Sequence, residues 1–173
     1  YYKGLRWLIE AASAIQGRVV IAGDGPERKA NEALAGSCGG EVLFPGALSE
    51  EDLVNYLHAA AVVAFPSSER SEAFGLSILE AHACGTPVVS TQLGTGVEFV
   101  NEDGMTGLNV PPKNAPALAA AVNRLLQDRE LADRLGQAAR DRVFRAFSAE
   151  KIARQEYEIY QRVVEARRRS SGL

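Results

Sequence analysis

The sequence predicts an α/β fold built on a doubly wound parallel sheet and followed by an all-helical C-terminal third. Two observations support this fold class: short β-branched runs alternate with stretches of helical period as far as Pro111, and only helical stretches follow. Strands that alternate with helices pair in parallel and place crossover helices on both faces of the sheet, the Rossmann-like arrangement. The 173 residues, 46% of them hydrophobic, suit a single domain over residues 1–173.

Five apolar runs are the predicted strands: residues 18–22, 41–44, 61–65, 87–90 and a weaker run at 107–110. Helical spacing of apolar residues precedes the first of them, at Leu5, Leu8, Ile9 and Ala12. Ser49 is the predicted cap of a later helix, and Gly85 with Pro87 ends another. The order is therefore helix, strand, helix, strand, repeated.

Three helices are predicted after Pro112, at about 115–127, 130–146 and 149–166. The last one mixes apolar and aromatic residues with arginines, so residues 148–168 suit either a partner surface or a solvated basic tail. The run Arg167–Arg169 leaves two interpretations open, contact with anionic lipid or simple solvation.

Bulk properties exclude several classes of function. A net charge of −3 argues against a nucleic-acid surface, which needs clustered Lys and Arg. His58, His82 and the two cysteines lack metal-ligand spacing, so no metal is assigned, and no nucleophilic serine motif occurs. No apolar run approaches the roughly 20 residues of a membrane span, and the N-terminus lacks the pattern of a signal peptide. The expected compartment is the cytoplasm.

The segment from Ser71 to Ser90 indicates an anion site with a carboxylate at each end. Glu72 follows an apolar strand and Glu80 lies in the next helix, with seven residues between them. The N–H groups at about Phe74, Gly75 and Leu76 open that helix, so they lack intrahelical acceptors and suit a phosphate. We expect the two carboxylates to bracket one elongated ligand, with Lys3 and Arg70 as candidate cations against their charge.

Three glycine-bearing turns follow other predicted strands. They contain Gly23 and Gly25, then Gly46 with Ala47 and Leu48, and finally Gly94 and Thr95. The turn at Gly23 is either a tight strand-to-helix turn with Pro26 at the first helical position or a ligand-facing loop. The turn at Gly46 either reverses the chain or covers a flat ring with its apolar backbone. Because parallel sheets bind ligands at the carboxyl ends of their strands, a shared cleft is the prediction.

The segment Glu-Ala-Phe-Gly-Leu-Ser-Ile-Leu-Glu at 72–80, followed by Ala-Cys-Gly-Thr-Pro-Val-Val-Ser, resembles the two-glutamate motif of family 4 retaining glycosyltransferases of the GT-B fold. Tyr2-Lys-Gly-Leu, Gly23-Asp-Gly-Pro and Gly107-Leu-Asn-Val-Pro-Pro resemble further family segments, so the resemblance runs nearly end to end.

The resemblance implies a nucleotide-diphosphate sugar as substrate, with no cofactor and no metal. Glu80 would bind the ribose hydroxyls and Glu72 the donor sugar, while Phe74, Gly75 and Leu76 would hold the diphosphate and Lys3 neutralise it. Donor contacts are further implied for seven positions: Gly23, Gly25, Gly46, Ala47, Leu48, Gly94 and Thr95. The family has a second glycine where Thr95 stands, and Gly96 follows one position later in this sequence.

Segments such as Arg-Ser-Glu-Ala-Phe-Gly are similar to bacterial mannosyl- and rhamnosyltransferases. They imply a GDP-sugar rather than a UDP-sugar, a hydroxyl or lipid-linked acceptor, and a role in surface polysaccharide or glycolipid synthesis at the inner face of the membrane.

GT-B enzymes have two Rossmann-like domains, so the resemblance implies that this chain is the C-terminal, donor-binding half. It would lack the acceptor domain, the first strand of its own sheet and an arginine on that strand. The isolated piece is then expected to be inactive, and its terminal helix to pack on the missing domain. The alternatives are half of a sugar-nucleotide epimerase and a non-catalytic flavodoxin-like binding domain.

Overall fold

The structure is a computed structural model that describes the backbone of residues 2–170 and the side chains of residues 2–168. The chain divides into two compact units, one ending at Arg140 and one beginning at Asp141. A single domain over residues 1–173 stays a prediction.

The described residues of the first unit form five strands, and helices alternate with them. The strands are β1 (Val19–Ala22), β2 (Val42–Gly46), β3 (Val63–Phe65), β4 (Val88–Thr91) and β5 (Gly107–Val110). The helices are α1 (Leu5–Ala12), α2 (Arg28–Cys38), α3 (Glu50–Ala59), α4 (Leu76–Ala83), α5 (Gly96–Val100) and α6 (Ala115–Gln127), and α7 (Arg129–Ala146) contains the boundary between the units. The predicted order of elements is confirmed.

Local capping explains several helix ends. Ser49 caps α3 as predicted, because its hydroxyl accepts from the Asp52 amide at 3.1 Å. The expectation that Pro26 is the first helical position of α2 is wrong. The helix begins two residues later, since the Arg28 amide first closes a turn on the Gly25 carbonyl at 3.1 Å. The short helix α5 was not predicted, and its capping box of Thr95 and Glu98 accounts for its start.

All strand pairs are parallel, in the sets β1–β2 and β3–β4–β5. Strand β4 is buried along its whole length, with Val88 and Val89 in apolar clusters of opposite sheet faces. The cluster around Val89 includes residues of α1 and α6, and the cluster around Val88 includes residues of α4 and α5. Helices thus cover both faces of a parallel sheet, which confirms the doubly wound, Rossmann-like fold class.

An apolar cavity of about 550 Å³ lies between β1 and β3, where the described strands leave a gap in the sheet. The Val19 amide donates to the carbonyl of Glu41, just before β2, and the Val63 amide donates to the carbonyl of Pro87, just before β4. Because amides alternate in direction along a strand, the neighbouring amides of β1 and β3 point away from these partners. The residues that carry those alternate amides all line the cavity: Val20, Ala22, Val62 and Ala64. One sheet position between β1 and β3 is therefore open.

The second unit consists of the end of α7 and of α8 (Ala149–Ser170). Ser148 opens α8, and its hydroxyl accepts from the Lys151 amide at 3.3 Å. Exposed apolar side chains follow along the helix: Ile152, Tyr157, Ile159, Tyr160, Val163 and Val164. The interpretation of residues 148–168 as a packing surface for a further domain stays a prediction. Among the residues that the structure describes, no helix has the length and hydropathy of a membrane span.

Candidate functional site

The amino-terminal end of α4, the helix that follows β3 in the chain, has backbone N–H groups without acceptors among the described residues. Gly75 precedes the helix in a left-handed conformation, with φ of 87°, and its carbonyl accepts from the Ile78 amide at 3.0 Å. No described residue accepts a hydrogen bond from the amides of Gly75, Leu76 or Ser77. The Leu76 side chain is 69% exposed. The helix begins at Leu76, two residues after the predicted Phe74, because Gly75 precedes it in the left-handed conformation. The free N–H groups at its opening are those of Gly75, Leu76 and Ser77, with the positive end of the helix dipole behind them.

A glycine is needed at position 75 for two reasons. Its backbone conformation is one that residues with a Cβ adopt at a cost. A Cβ there would also lie 2.8 Å from Cδ1 of Ile78 and 3.3 Å from Cζ of Phe65. The close packing of Gly75 on β3 and α4 therefore sets where the open amides lie.

Lys3 and Glu72 meet beside this helix end, although 69 positions separate them in the sequence. The Lys3 Nζ lies 2.6 Å from Glu72 Oε2, and the Ser67 hydroxyl donates to the same oxygen at 3.2 Å. Glu72 is buried, whereas half of the Lys3 side chain is exposed. The close packing of α1 explains the meeting: Gly4 lies directly against the Pro66 carbonyl, and the Ser68 amide donates to the Tyr2 carbonyl at 2.8 Å.

Glu80 lies on α4, four residues after Leu76 and so about 6 Å along the helix axis. It is exposed, and no described residue forms a hydrogen bond or ion pair with its carboxylate. The two glutamates thus differ in the structure, because Glu72 is occupied by Lys3 and Ser67 while Glu80 is free for a ligand. That they bracket one ligand stays a prediction.

The loop after β4 packs against the start of this helix. The Gly96 amide donates to the Ala73 carbonyl at 2.8 Å, and a Cβ at Gly96 would lie 2.9 Å from Cδ2 of Phe74. Beside it, a Cβ at Gly94 would lie 3.2 Å from Nη1 of Arg70. The loop that contains Gly94 and Thr95 thus lies against the residues just before α4, and a shared cleft stays a prediction.

Glu98 occupies two of the amides in that loop. Its carboxylate accepts from the Gly94 amide at 2.6 Å and from the Thr95 amide at 3.2 Å. Partial burial raises the pKa of Glu98, but these backbone hydrogen bonds outweigh it, so the pKa lies below its ordinary value. The amides of Gly94 and Thr95 are consequently not available to a ligand. Contacts of Gly94 and Thr95 with the donor sugar stay a prediction.

The turns after β1 and β2 form a second cluster. The Gly23 amide donates to the Gly46 carbonyl at 2.7 Å, and Gly25 follows Gly23 by two positions in the same turn. Arg28 packs on this cluster: its Nη2 donates to the Phe44 carbonyl at 3.1 Å, and a Cβ at Gly46 would lie 3.0 Å from its Nη1. Ala47 is exposed and Leu48 half-buried after the turn. The hydrogen bond to Glu32 raises the pKa of Arg28, which remains a cation.

Three contacts near these residues were not predicted from the sequence. They are the hydrogen bond from Ser67 to Glu72, the packing of Arg28 on the second cluster, and the acceptance of backbone N–H groups by the Glu98 carboxylate. Only the last had a local signal, since Thr95 and Glu98 have the spacing of a capping box. No cluster of three or more potential metal ligands occurs in the part of the chain that the structure describes.

Taken together, a parallel α/β fold with an open helix end at the carboxyl edge of its sheet is typical of domains that bind phosphorylated ligands. The family model described as "Glycosyl transferases group 1" matches residues 1–142, and the chain belongs to this family. The predicted kinship with glycosyltransferases of the GT-B fold is thereby confirmed.

Two similar curated proteins come from bacteria. The chain is 35% identical over 168 residues to "O-antigen chain mannosyltransferase C" of Escherichia coli and 39% identical over 150 residues to "D-rhamnosyltransferase WbpZ" of Pseudomonas aeruginosa. These alignments cover 96% and 86% of this chain, but 45% and 39% of the relatives. The chain thus spans less than half the length of these relatives.

Solved structures agree with the fold. Sucrose-phosphate synthase from Thermosynechococcus elongatus superposes with a TM-score of 0.84 at 36% identity, over 95% of this chain and 43% of that one. Anabaena Alr3699/HepE in complex with UDP superposes with a TM-score of 0.85 at 26% identity, over 92% and 45%.

Proposed function

We propose that this chain is the donor-binding part of a family 4 retaining glycosyltransferase and that it binds a nucleotide-diphosphate sugar at the amino end of α4. The observation that carries this proposal is the row of open amides at Gly75, Leu76 and Ser77, with Lys3 and Glu72 beside it. A leaving diphosphate gains negative charge as the glycosidic bond breaks, and fixed N–H donors stabilise that charge without reorganising. The positive end of the helix dipole adds to this effect.

In this proposal each charged residue has a separate role. Glu80 accepts hydrogen bonds from the two ribose hydroxyls, because a carboxylate has two acceptor oxygens and this one is unoccupied. Lys3 reaches the diphosphate, and its pairing with Glu72 holds it in place before the ligand arrives. Glu72, once Lys3 has turned to the diphosphate, contacts the donor sugar. The helix amides and Lys3 then replace a metal ion, so no metal and no other cofactor takes part.

The donor and acceptor are proposed from the relatives. The names of the Escherichia coli and Pseudomonas aeruginosa relatives are those of a mannosyl- and a rhamnosyltransferase, which favours a GDP-sugar over a UDP-sugar. The UDP complex of Alr3699/HepE supports a nucleoside diphosphate in this fold more generally. A hydroxyl or lipid-linked acceptor in surface polysaccharide or glycolipid synthesis is consistent with the O-antigen relative. The proposed location is the cytoplasm, at the inner face of the membrane.

The whole protein is proposed to have a second, N-terminal domain that holds the acceptor, since the relatives are more than twice as long as this chain. A strand before Tyr1 would then fill the position between β1 and β3. Helix α1 begins beside Pro66, at the carboxyl end of β3, so a strand running parallel to β3 would end where α1 starts. This piece alone is proposed to be inactive in transfer.

Calorimetry of the chain with GDP, UDP and the corresponding sugar nucleotides tests the donor site, with and without magnesium. We expect binding of a nucleoside diphosphate that magnesium does not strengthen. Undetectable binding by both this chain and the whole protein would refute the proposal. An assay of the whole protein without acceptor distinguishes the epimerase alternative, which would form product under that condition.

A further inference from the structure

Lys113 has an unusual backbone conformation for its residue type. Its φ is 58°, and it is the only residue other than glycine with a positive φ in the described part of the chain. A lysine gains nothing locally from this left-handed conformation, which glycine adopts freely and asparagine more readily. Lys113 stands between β5 and α6, two residues before the first helical residue. An interaction made by the Lys113 side chain would compensate for this backbone conformation.

That side chain reaches a different loop. The Lys113 Nζ lies 2.7 Å from Oε1 of Glu69, in the segment between β3 and α4. The backbone of Glu69 in turn holds Glu72, because the Glu72 amide donates to the Glu69 carbonyl at 3.0 Å. Contacts thus run from Lys113 through Glu69 to Glu72 and on to Lys3.

We propose that Lys113 is a positioning residue of the donor site, a role that rests on the function proposed above. By pairing with Glu69 it holds the segment 67–72 against the turn after β5, and so fixes where the Glu72 carboxylate lies relative to the open end of α4. The left-handed backbone at position 113 is what directs the lysine toward Glu69. Lys113 itself does not touch the ligand.

The first test needs no ligand. Hydrogen exchange of the Glu72 amide, which donates to Glu69, is compared in the chain and in Lys113→Gln. We expect faster exchange at Glu72 in the variant, and no change there in Arg18→Gln, which removes another exposed ion pair, with Glu41. Unchanged exchange at Glu72 in Lys113→Gln would overturn the proposal, whether or not the chain binds a nucleotide.

The second test uses the whole protein and sugar transfer. Lys113→Gly is expected to unfold at the same or a higher temperature, because glycine suits the left-handed conformation, while kcat/KM falls about two- to five-fold, as the loss of an exposed ion pair implies. Lys113→Arg keeps the charge and should restore activity.

The double variant Glu69→Gln with Lys113→Gln should lose no more activity than either single variant, because both remove one interaction. Additive losses, or full activity in Lys113→Gly, would contradict the positioning role. If the unaltered protein binds no nucleoside diphosphate, the proposed function fails instead, and the hydrogen-exchange result still decides whether Lys113 fixes the segment.

Discussion

The substitution Glu72→Gln tests whether the buried carboxylate beside α4 both pairs with Lys3 and has the proposed role in sugar transfer. Gln is similar in shape and can still accept from the Ser67 hydroxyl, so the change removes mainly the ionic contact with Lys3. Two unit charges 2.6 Å apart attract each other by about 1.6 kcal/mol even at the dielectric constant of water. Burial of Glu72 strengthens this attraction, and the exposed half of Lys3 weakens it.

Exposed ion pairs contribute about 0.2–1 kcal/mol, and breaking a fully buried pair costs about 3–5 kcal/mol. Between these limits, we expect the free energy of unfolding to fall by about 1–2 kcal/mol in Glu72→Gln, measured by urea denaturation. Nucleoside diphosphate affinity should not fall, because the helix amides remain and Lys3 becomes free for the ligand. Sugar transfer by the whole protein should fall about 10- to 100-fold, the worth of one hydrogen bond to a charged group.

Glu80→Gln is the matched control, because Glu80 is exposed and has no partner among the described residues. Its unfolding free energy should stay within about 0.5 kcal/mol of the unaltered chain. Its nucleoside diphosphate affinity should fall about ten-fold or more. Equal losses of stability in the two variants, or a fall of nucleotide affinity in Glu72→Gln as large as in Glu80→Gln, would refute the assignment of separate roles.

Three further predictions concern the loops and the gap in the sheet. Gly75→Ala should weaken nucleoside diphosphate binding in calorimetry and cost about 1–2 kcal/mol of stability, because alanine is strained at a φ of 87°; unchanged affinity would argue against the α4 site. The pKa of Glu98 is lowered in the folded state, so its stabilising contribution is present at neutral pH and disappears as pH falls below its ordinary value of 4.5. The stability difference between the chain and Glu98→Gln should therefore shrink in acid, and a constant difference would contradict this. If a further strand fills the gap, the amides of Val20 and Ala64 should exchange faster in this chain than in the whole protein, while that of Val63 should not.

Much of the fold could be predicted because its signals are local. The run 87–90 is β-branched and apolar, as a strand covered on both faces must be, and it became the buried strand β4. Ser49 capped α3 because an N-cap depends only on residues three positions away. The start of α2 was placed two residues too early because a tight turn around Pro26 competes with the helix, and the residue types do not decide between them.

Some features of the candidate site could likewise be predicted from the sequence, and others could not. The sequence by itself determined that a helix opens near Gly75 and that its first amides lack acceptors, because helix geometry leaves them unsatisfied wherever the helix begins. Only the tertiary structure decided that Glu72 pairs with Lys3, that Glu98 occupies the Gly94 and Thr95 amides, and that β1 and β3 leave a strand position open between them. The partner of a charged side chain or of a strand edge depends on which distant segments the packing of α1 and the glycine turns brings within hydrogen-bonding reach, and residue spacing alone contains no such distance.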